Sequence, residues 1–201
     1  MRSKTVMAGA LALVLLGCGD NNGPSGVQES QLTIVQQDTL APPLLTTQGS
    51  FWAKLGDGRE IRLYYQGAAP GDTGEEYLRF EVPDDGLYRK PDGTAFLPGD
   101  SILITVTVLD AARFHYQFEP SGLLFSPDHP ARLKLKYFDC NHDFNGDGAI
   151  DAEDTRIEGL LGIWERSGPG ALWFRLSSVQ FEESDELDAN IPSFTEHAVA
   201  W

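Results

Sequence analysis

The chain has 201 residues, among them 30 acidic and 15 basic side chains, and its formal net charge is −15 at pH 7. A surface with this charge repels nucleic acid and anionic lipid headgroups and attracts divalent cations. Nucleic acid is therefore excluded as a partner, and a cation-binding function is favoured.

The N-terminus has the pattern of a bacterial secretory signal. Arg2 and Lys4 precede an apolar run over residues 6–16, which is too short to span a bilayer, since spanning takes about 20 residues. The run ends in "LLGC" at Cys18, which resembles the lipobox of bacterial lipoproteins. The resemblance implies cleavage before Cys18, diacylation of its thiol, and anchoring to a membrane of the bacterial cell envelope, on the periplasmic side or the outer surface. The alternative is an ordinary signal peptide with a chance cysteine.

Composition divides the chain into three parts. Residues 1–17 are the lipoprotein signal peptide. Residues 18–50 are predicted to be a flexible tether and linker, because "CGDNNGPSG" is rich in Gly, Asn, Pro and Ser and because Pro42 and Pro43 keep the following chain extended. The alternative for Leu32–Val35 within this part is a strand. Residues 51–201 form one domain, which is long enough to enclose a single hydrophobic core.

Alternating apolar residues predict that this domain is mainly β. Segments such as "REIRLYY" and "EYLRFEV" place every second side chain on one face, as in half-buried strands, and turn signals such as "PDDG" separate them. Many short strands with tight turns predict an antiparallel β-sandwich. Only Glu153–Leu161 has a helical pattern. The side chains that this alternation places on one face of each strand are Ile61, Leu63, Tyr65, Leu78, Phe80, Val82, Ile102, Ile104, Val106, Val108, Phe114, Tyr116, Phe118, Leu133, Leu135 and Tyr137.

A family resemblance covers residues 96–201. The stretch "FEPSGLLFSPDHPARLKLKY", residues 118–137, is similar to the Pro-x-Gly-Leu-x-Phe…Pro-x-x-Leu signature of ZU-five-type β-sandwich domains. The upstream "FLPGDSILITVTV" is similar to a turn and strand of that family, and "FTEHAVAW" resembles its final strand. The resemblance implies a non-catalytic domain that contacts another protein, whose identity it does not supply.

The stretch "DFNGDGAIDAED", residues 143–154, has the spacing of a calcium-binding loop. Ca²⁺ binds about six to eight oxygens, and EF-hand-type loops supply them largely from alternate positions. Gly148 stands where the backbone must turn with positive φ, and Ile150 stands where such loops are anchored to a core. The alternative is a solvated acidic turn, but carboxylates brought together without a cation would repel one another. The predicted calcium ligands are Asp143, Asn145, Asp147, Asp151 and Asp154 through their side chains and Ala149 through its carbonyl.

This loop resembles those of the EF-hand and dockerin families. Its last position holds Asp154 rather than the Glu of most EF-hands, which matches dockerins, and the following "TRIEGLL" resembles the exiting helix of a dockerin half-repeat. Dockerins carry two such repeats, whereas this chain has one, entered from the strand-like "LKLKYFDC". We therefore expect a calcium loop inserted between two sandwich strands and followed by one short helix.

Other candidates for chemistry are weaker. Ser101 in "GDSI" is similar to the Gly-Asp-Ser-Leu block of esterases, but it opens a predicted strand instead of leading into a helix. The four histidines lack metal-ligand spacing, and His115 and His197, both in predicted strands, are expected at the surface or its rim. Trp52, Trp164 and Trp173 are expected in the core, although together on a surface they would form a carbohydrate platform.

These features predict a non-catalytic, lipid-anchored protein with calcium as its cofactor and a binding or structural role in the envelope. It would contact the membrane through Cys18 and bind an unidentified protein partner. Two alternatives are a dockerin-like module that binds a cohesin-type partner, and an accessory protein or hydrolase acting on polysaccharide. A hydrolase would need titratable residues converging in one pocket.

Overall fold

The computed structural model describes residues 25–201 of the chain. Within them are thirteen strands, one α-helix and two short 3-10 helices. The α-helix, α1, is Ala152–Glu158, and the 3-10 helices are Glu29–Gln31 and Glu182–Ser184. The strands are β1 (Gln48–Lys54), β2 (Arg59–Gln66), β3 (Thr73–Val82), β4 (Leu87–Arg89), β5 (Ser101–Asp110), β6 (His115–Glu119), β7 (Leu124–Phe125), β8 (Ala131–Lys136), β9 (Gly162–Arg166), β10 (Phe174–Arg175), β11 (Ser178–Phe181), β12 (Glu186–Ile191) and β13 (Glu196–Ala200).

Two sheets form a sandwich. The larger sheet has the strand order β1-β5-β6-β13-β9-β10, and the smaller has the order β11-β12-β8-β3-β2. A separate ribbon pairs β4 with β7. The pairings within these sheets are antiparallel, as where Leu78 of β3 lies opposite Leu135 of β8. The predicted mainly-β class, an antiparallel β-sandwich with one short helix, is confirmed.

The core between the sheets is built from the alternating residues of the strands. Leu78, Phe80 and Val82 of β3 share one hydrophobic cluster with Phe118 of β6. The rings of Phe80 and Phe118 lie 5.2 Å apart in a tilted arrangement, which aromatic pairs prefer over a face-to-face sandwich. Each large apolar side chain buried in this way stabilises the fold by about 1.5–3 kcal/mol. The sandwich is therefore a rigid support for its loops.

Residues 27–38, called here the N-terminal strap, pack against the larger sheet. This differs from the flexible linker predicted for residues 18–50. Ile34 forms a bridge with Ala200 of β13, and Val35 is fully buried. The strap is therefore part of the folded domain, because its apolar side chains complete the surface of the sheet.

A cluster of charged groups holds the strap to the sheet. Arg166 of β9 binds Glu196 of β13 at 2.7 Å and Glu29, in the first 3-10 helix, at 2.9 Å. The same guanidinium lies over the ring of Trp173, 4.6 Å from its centroid. Arg166 and Glu196 are buried, so removing either partner would leave an uncompensated charge inside the protein.

Within residues 25–201, no helix is both long enough and apolar enough to cross a membrane. The predicted signal peptide, residues 1–17, and the predicted lipidation site, Cys18, lie outside the described residues. The lipid anchor therefore stays a prediction from the sequence.

Candidate metal centre

The acidic loop, residues 143–154, lies on the connection between the two sheets. β8 of the smaller sheet ends at Lys136, and α1 after the loop leads to β9 of the larger sheet, which begins at Gly162. Phe144, at the start of the loop, and Ile157, in α1, both belong to the sandwich core. A cation bound by the loop would therefore stabilise the connection between the two sheets, which Phe144 and Ile157 already hold in the core.

The first half of the loop is shaped by side chains that accept hydrogen bonds from its own backbone. The carboxylate of Asp143 accepts from the N–H groups of Asp147 at 3.0 Å and Gly148 at 2.9 Å. The side-chain oxygen of Asn145 also accepts from Asp147, at 2.8 Å, and Asp147 accepts from Ala149 at 2.9 Å. Such Asx turns need no partner outside the loop. Gly148 adopts φ +88°, the left-handed conformation expected for its position.

Asp154 closes the loop from its far end. It is 1% exposed, and its two carboxylate oxygens accept hydrogen bonds from the N–H groups of Asp151 at 2.9 Å and Asn145 at 3.2 Å. Asp151 caps α1 by accepting from the N–H of Glu153 at 2.8 Å, which completes a capping box. The backbone N–H groups, that of Asp151 first, hold the pKa of Asp154 below its usual value. Asp154 is therefore a charged oxygen donor at neutral pH.

The chemistry of the predicted ligands suits a hard cation, because carboxylate, amide and carbonyl oxygens are the donors that Ca²⁺ prefers. An oxygen that accepts one hydrogen bond keeps further lone-pair capacity, so the backbone contacts do not consume the binding capacity of the loop. Between residues 25 and 201, no three His, Cys, Asp or Glu side chains are grouped closely enough to hold a metal ion. The ligand set predicted for the loop also uses the amide of Asn145 and the carbonyl of Ala149, which are outside those four residue types.

One expectation about the loop is wrong. Ile150 is expected to anchor the loop to a core, but it is 73% exposed. Phe144 anchors the loop instead, and its ring packs edge-on against Trp201 with the centroids 5.5 Å apart. The physical reason lies in the segment that precedes the loop. This segment, between β8 and the loop, consists of turns and contains no helix, so no helix packs over Ile150 and its side chain is open to solvent.

The other candidates from the sequence do not assemble into a site. Ser101 is exposed and opens β5, as expected. Trp173 is fully buried, whereas Trp52 is 58% exposed on β1. Three strands separate β1 from β9, which carries Trp164. The three tryptophans therefore do not form a carbohydrate platform.

His197 differs most from expectation. It is fully buried in β13, not at the surface, and neither ring nitrogen has a hydrogen-bond partner among the described residues. Burial lowers its pKa to about 4, so the ring is neutral at physiological pH. The carboxylate of Glu165 lies 3.8 Å away, and burial raises the pKa of that group. This pair lies inside the sandwich and takes no part in the acidic loop.

A cavity of about 240 Å³ adjoins the acidic loop, between it and the N-terminal strap. The strap contributes Thr33 and Gln36 to its lining, and Asn141 and Trp201 also line it. Its walls come from three separate parts of the chain, the strap, residues 141–146 and Trp201. No local pattern in the sequence could therefore signal this cavity.

Comparison of the chain with protein-family models, curated proteins and solved structures finds no match. The ZU-five-type and dockerin resemblances therefore rest on short motifs and stay predictions.

Proposed function

We propose that the protein is a lipid-anchored, non-catalytic calcium-binding protein of the bacterial cell envelope, in which the ion stabilises the sandwich. The acidic loop carries the proposal, because it combines oxygen donors at alternate positions, a glycine with positive φ and a carboxylate that reaches back from α1 to the start of the loop. When calcium is bound, the ligands would be the side chains of Asp143, Asn145, Asp147, Asp151 and Asp154 and the carbonyl of Ala149.

A stabilising role is favoured over a switching role by what the loop connects. Sensor EF-hands expose a groove by opening paired helices, whereas this loop joins the turns after a strand to one helix of seven residues. Phe144 and Ile157 hold both sides of the connection in the core, so little is free to move. Calcium would then act by mass action, because a ligand that binds only the folded chain stabilises it by about 2.7 kcal/mol at a hundred times Kd.

The envelope location is supported by the lipobox resemblance, which lies upstream of the described residues. A diacylated Cys18 would provide a stable anchor, because each buried methylene contributes about 0.8 kcal/mol. Residues 18–26, fully extended, would reach about 30 Å. The strap, and with it the sandwich, would then be held near the membrane surface.

Thermal unfolding of the full-length chain, in chelator and in millimolar calcium, tests the calcium proposal. Calcium-binding extracellular modules have Kd values of about 10⁻⁴–10⁻³ M. Calcium at about 10 mM is then roughly ten to a hundred times Kd and stabilises the folded chain by about 1.4–2.7 kcal/mol, so we expect the melting temperature to rise by about 3–10 °C. Asp143→Asn and Asp147→Asn should lose most of that rise, and Asp128→Asn, which removes an exposed carboxylate elsewhere, should keep it. Identical curves for the wild type in both conditions would defeat the proposal.

A further inference from the structure

The cavity between the N-terminal strap and the acidic loop has walls of mixed character. Carboxamides and a hydroxyl stand beside an aromatic ring, and no lysine or arginine lines it. With a volume of about 240 Å³, it is smaller than the pockets of about 300–1,000 Å³ that hold drug-sized ligands. Its size and lining fit a small ring compound with polar edges.

We propose that this cavity binds a neutral saccharide and that calcium in the acidic loop strengthens the binding. The inference rests on the proposed calcium function, because Asp143 and Asn145 belong both to the cavity wall and to the predicted ligand set. The domain would then bind a neutral saccharide as well as a stabilising calcium ion.

The polar wall offers paired donors and acceptors. The side chains of Thr33, Gln36 and Asn141 are exposed. A carboxamide both donates and accepts hydrogen bonds, as the hydroxyl groups of a sugar do. The N–H of Asn141 donates to the carbonyl of Gln36 at 2.9 Å, which holds these two residues side by side. The Oδ1 atom of Asn141 accepts from the N–H of Asp143 at 3.0 Å, so its amide NH₂ group remains as a donor.

Trp201 supplies the apolar wall. Its ring is half-buried and packs edge-on against Phe144, and its backbone exchanges hydrogen bonds with Thr33 at 3.1 and 3.2 Å. These contacts hold the indole next to the strap, so the aromatic ring and the carboxamides line the same cavity. The electron-rich face of an aromatic ring attracts weakly positive hydrogens, such as those on the carbon atoms of a sugar ring. A cavity lined by an aromatic ring and by carboxamides therefore matches both the apolar face and the polar edge of a saccharide.

Charge narrows the ligand class further. Asp143 lines the cavity and the chain carries a net charge of −15, so phosphorylated and acidic saccharides are repelled. A cationic peptide is the competing ligand class while the loop is free of metal. Bound calcium would offset only part of the acidic charge, because it carries two positive charges and the loop has four carboxylates. It accepts up to about eight oxygens, so hydroxyl groups of the saccharide can take the positions that the protein ligands leave to water.

Calorimetric titration of the full-length chain tests this inference. The probes are cello-, xylo-, manno- and chito-oligosaccharides, with polygalacturonate and a lysine-rich peptide as competing classes, each in millimolar calcium and in chelator. We expect at least one neutral oligosaccharide to bind in calcium, and chelator, Gln36→Ala or Trp201→Ala to weaken its binding by about tenfold or more. The control is Trp52→Ala, which removes an exposed tryptophan from β1 and should leave the affinity unchanged.

Gln36→Ala is the decisive variant, because Gln36 is exposed, whereas Trp201→Ala also removes a ring that packs on Phe144. The inference is overturned if no neutral saccharide binds in calcium, if Gln36→Ala leaves the binding unchanged, if chelator leaves it unchanged, or if only the peptide or polygalacturonate binds. A parallel calcium titration separates the two claims. Calcium binding without saccharide binding defeats the saccharide inference alone, whereas failure to bind calcium defeats the proposed function.

Discussion

Asp154 is the residue at which the structural and cation-binding roles of the acidic loop can be measured separately. The side chain of Asp154 is nearly inaccessible to solvent. Its carboxylate accepts hydrogen bonds from the backbone N–H groups of Asp151 at 2.9 Å and Asn145 at 3.2 Å. Hydrogen bonds to charged groups contribute about 1.5–3 kcal/mol each. Asp154→Asn keeps the shape of the side chain but turns an NH₂ donor toward one of these N–H groups. We therefore expect the free energy of unfolding in chelator to fall by about 2 kcal/mol, which lowers the melting temperature by about 4–8 °C.

The assay is thermal unfolding followed by circular dichroism, in chelator and in millimolar calcium. Wild type should gain stability in calcium, whereas Asp154→Asn should gain little because it lacks one charged ligand. Asp128→Asn removes the same charge from an exposed position and should behave as wild type in both conditions. If Asp154→Asn melts at the wild-type temperature in chelator, the two backbone contacts do not hold the loop. If it keeps the full calcium-dependent rise, Asp154 is not a ligand.

Three further predictions concern residues outside the loop. Cys18→Ser should move the protein from the membrane fraction to the soluble fraction and remove the mass of the diacyl group. A variant that stays membrane-bound with an unchanged mass shift would contradict the lipobox interpretation. Burial lowers the pKa of His197 from 6.5 to about 4. Between pH 6.5 and pH 4 the unfolded chain therefore binds more protons at this residue than the folded chain does. The free energy of unfolding should fall by up to about 3 kcal/mol as the pH is lowered across that range. Urea unfolding at several pH values should show this fall in wild type and a smaller one in His197→Gln, and equal slopes would refute it. In the Cys18→Ser variant, a thiol reagent should modify Cys140 only in denaturant, because burial raises the pKa of this thiol. Rapid modification of the native chain would show that the Cys140 thiol is accessible.

The strands were predictable because their signal is local. The alternation at Leu78, Phe80 and Val82 places these side chains on one face of any strand they form, and all three are buried in β3. In the N-terminal strap only Leu32–Val35 has a strand-like composition. Val35 is buried because the strap docks on β13, where its backbone N–H donates to the carbonyl of Val199. A partner so distant in the chain cannot be inferred from composition.

In the acidic loop, too, the features set by local spacing were predictable and those set by long-range packing were not. The turn at Gly148 and the reach of Asp154 follow from spacing within the loop, and both were predictable. The exposure of Ile150 and the burial of His197 depend on what packs over each residue, which is a property of the whole fold. The cavity beside the loop is the extreme case, because Gln36 and Trp201 meet only after the strap has docked on the sheet.

Titration of the full-length chain with calcium measures directly whether the acidic loop binds the ion. We expect one ion per chain with a Kd of about 10⁻⁴–10⁻³ M. Asp143→Asn and Asp147→Asn should weaken this binding by about tenfold or more, and Asp128→Asn should leave it unchanged. Absence of binding at millimolar calcium, or binding that both loop variants retain at full affinity, would show that the loop is not a calcium site.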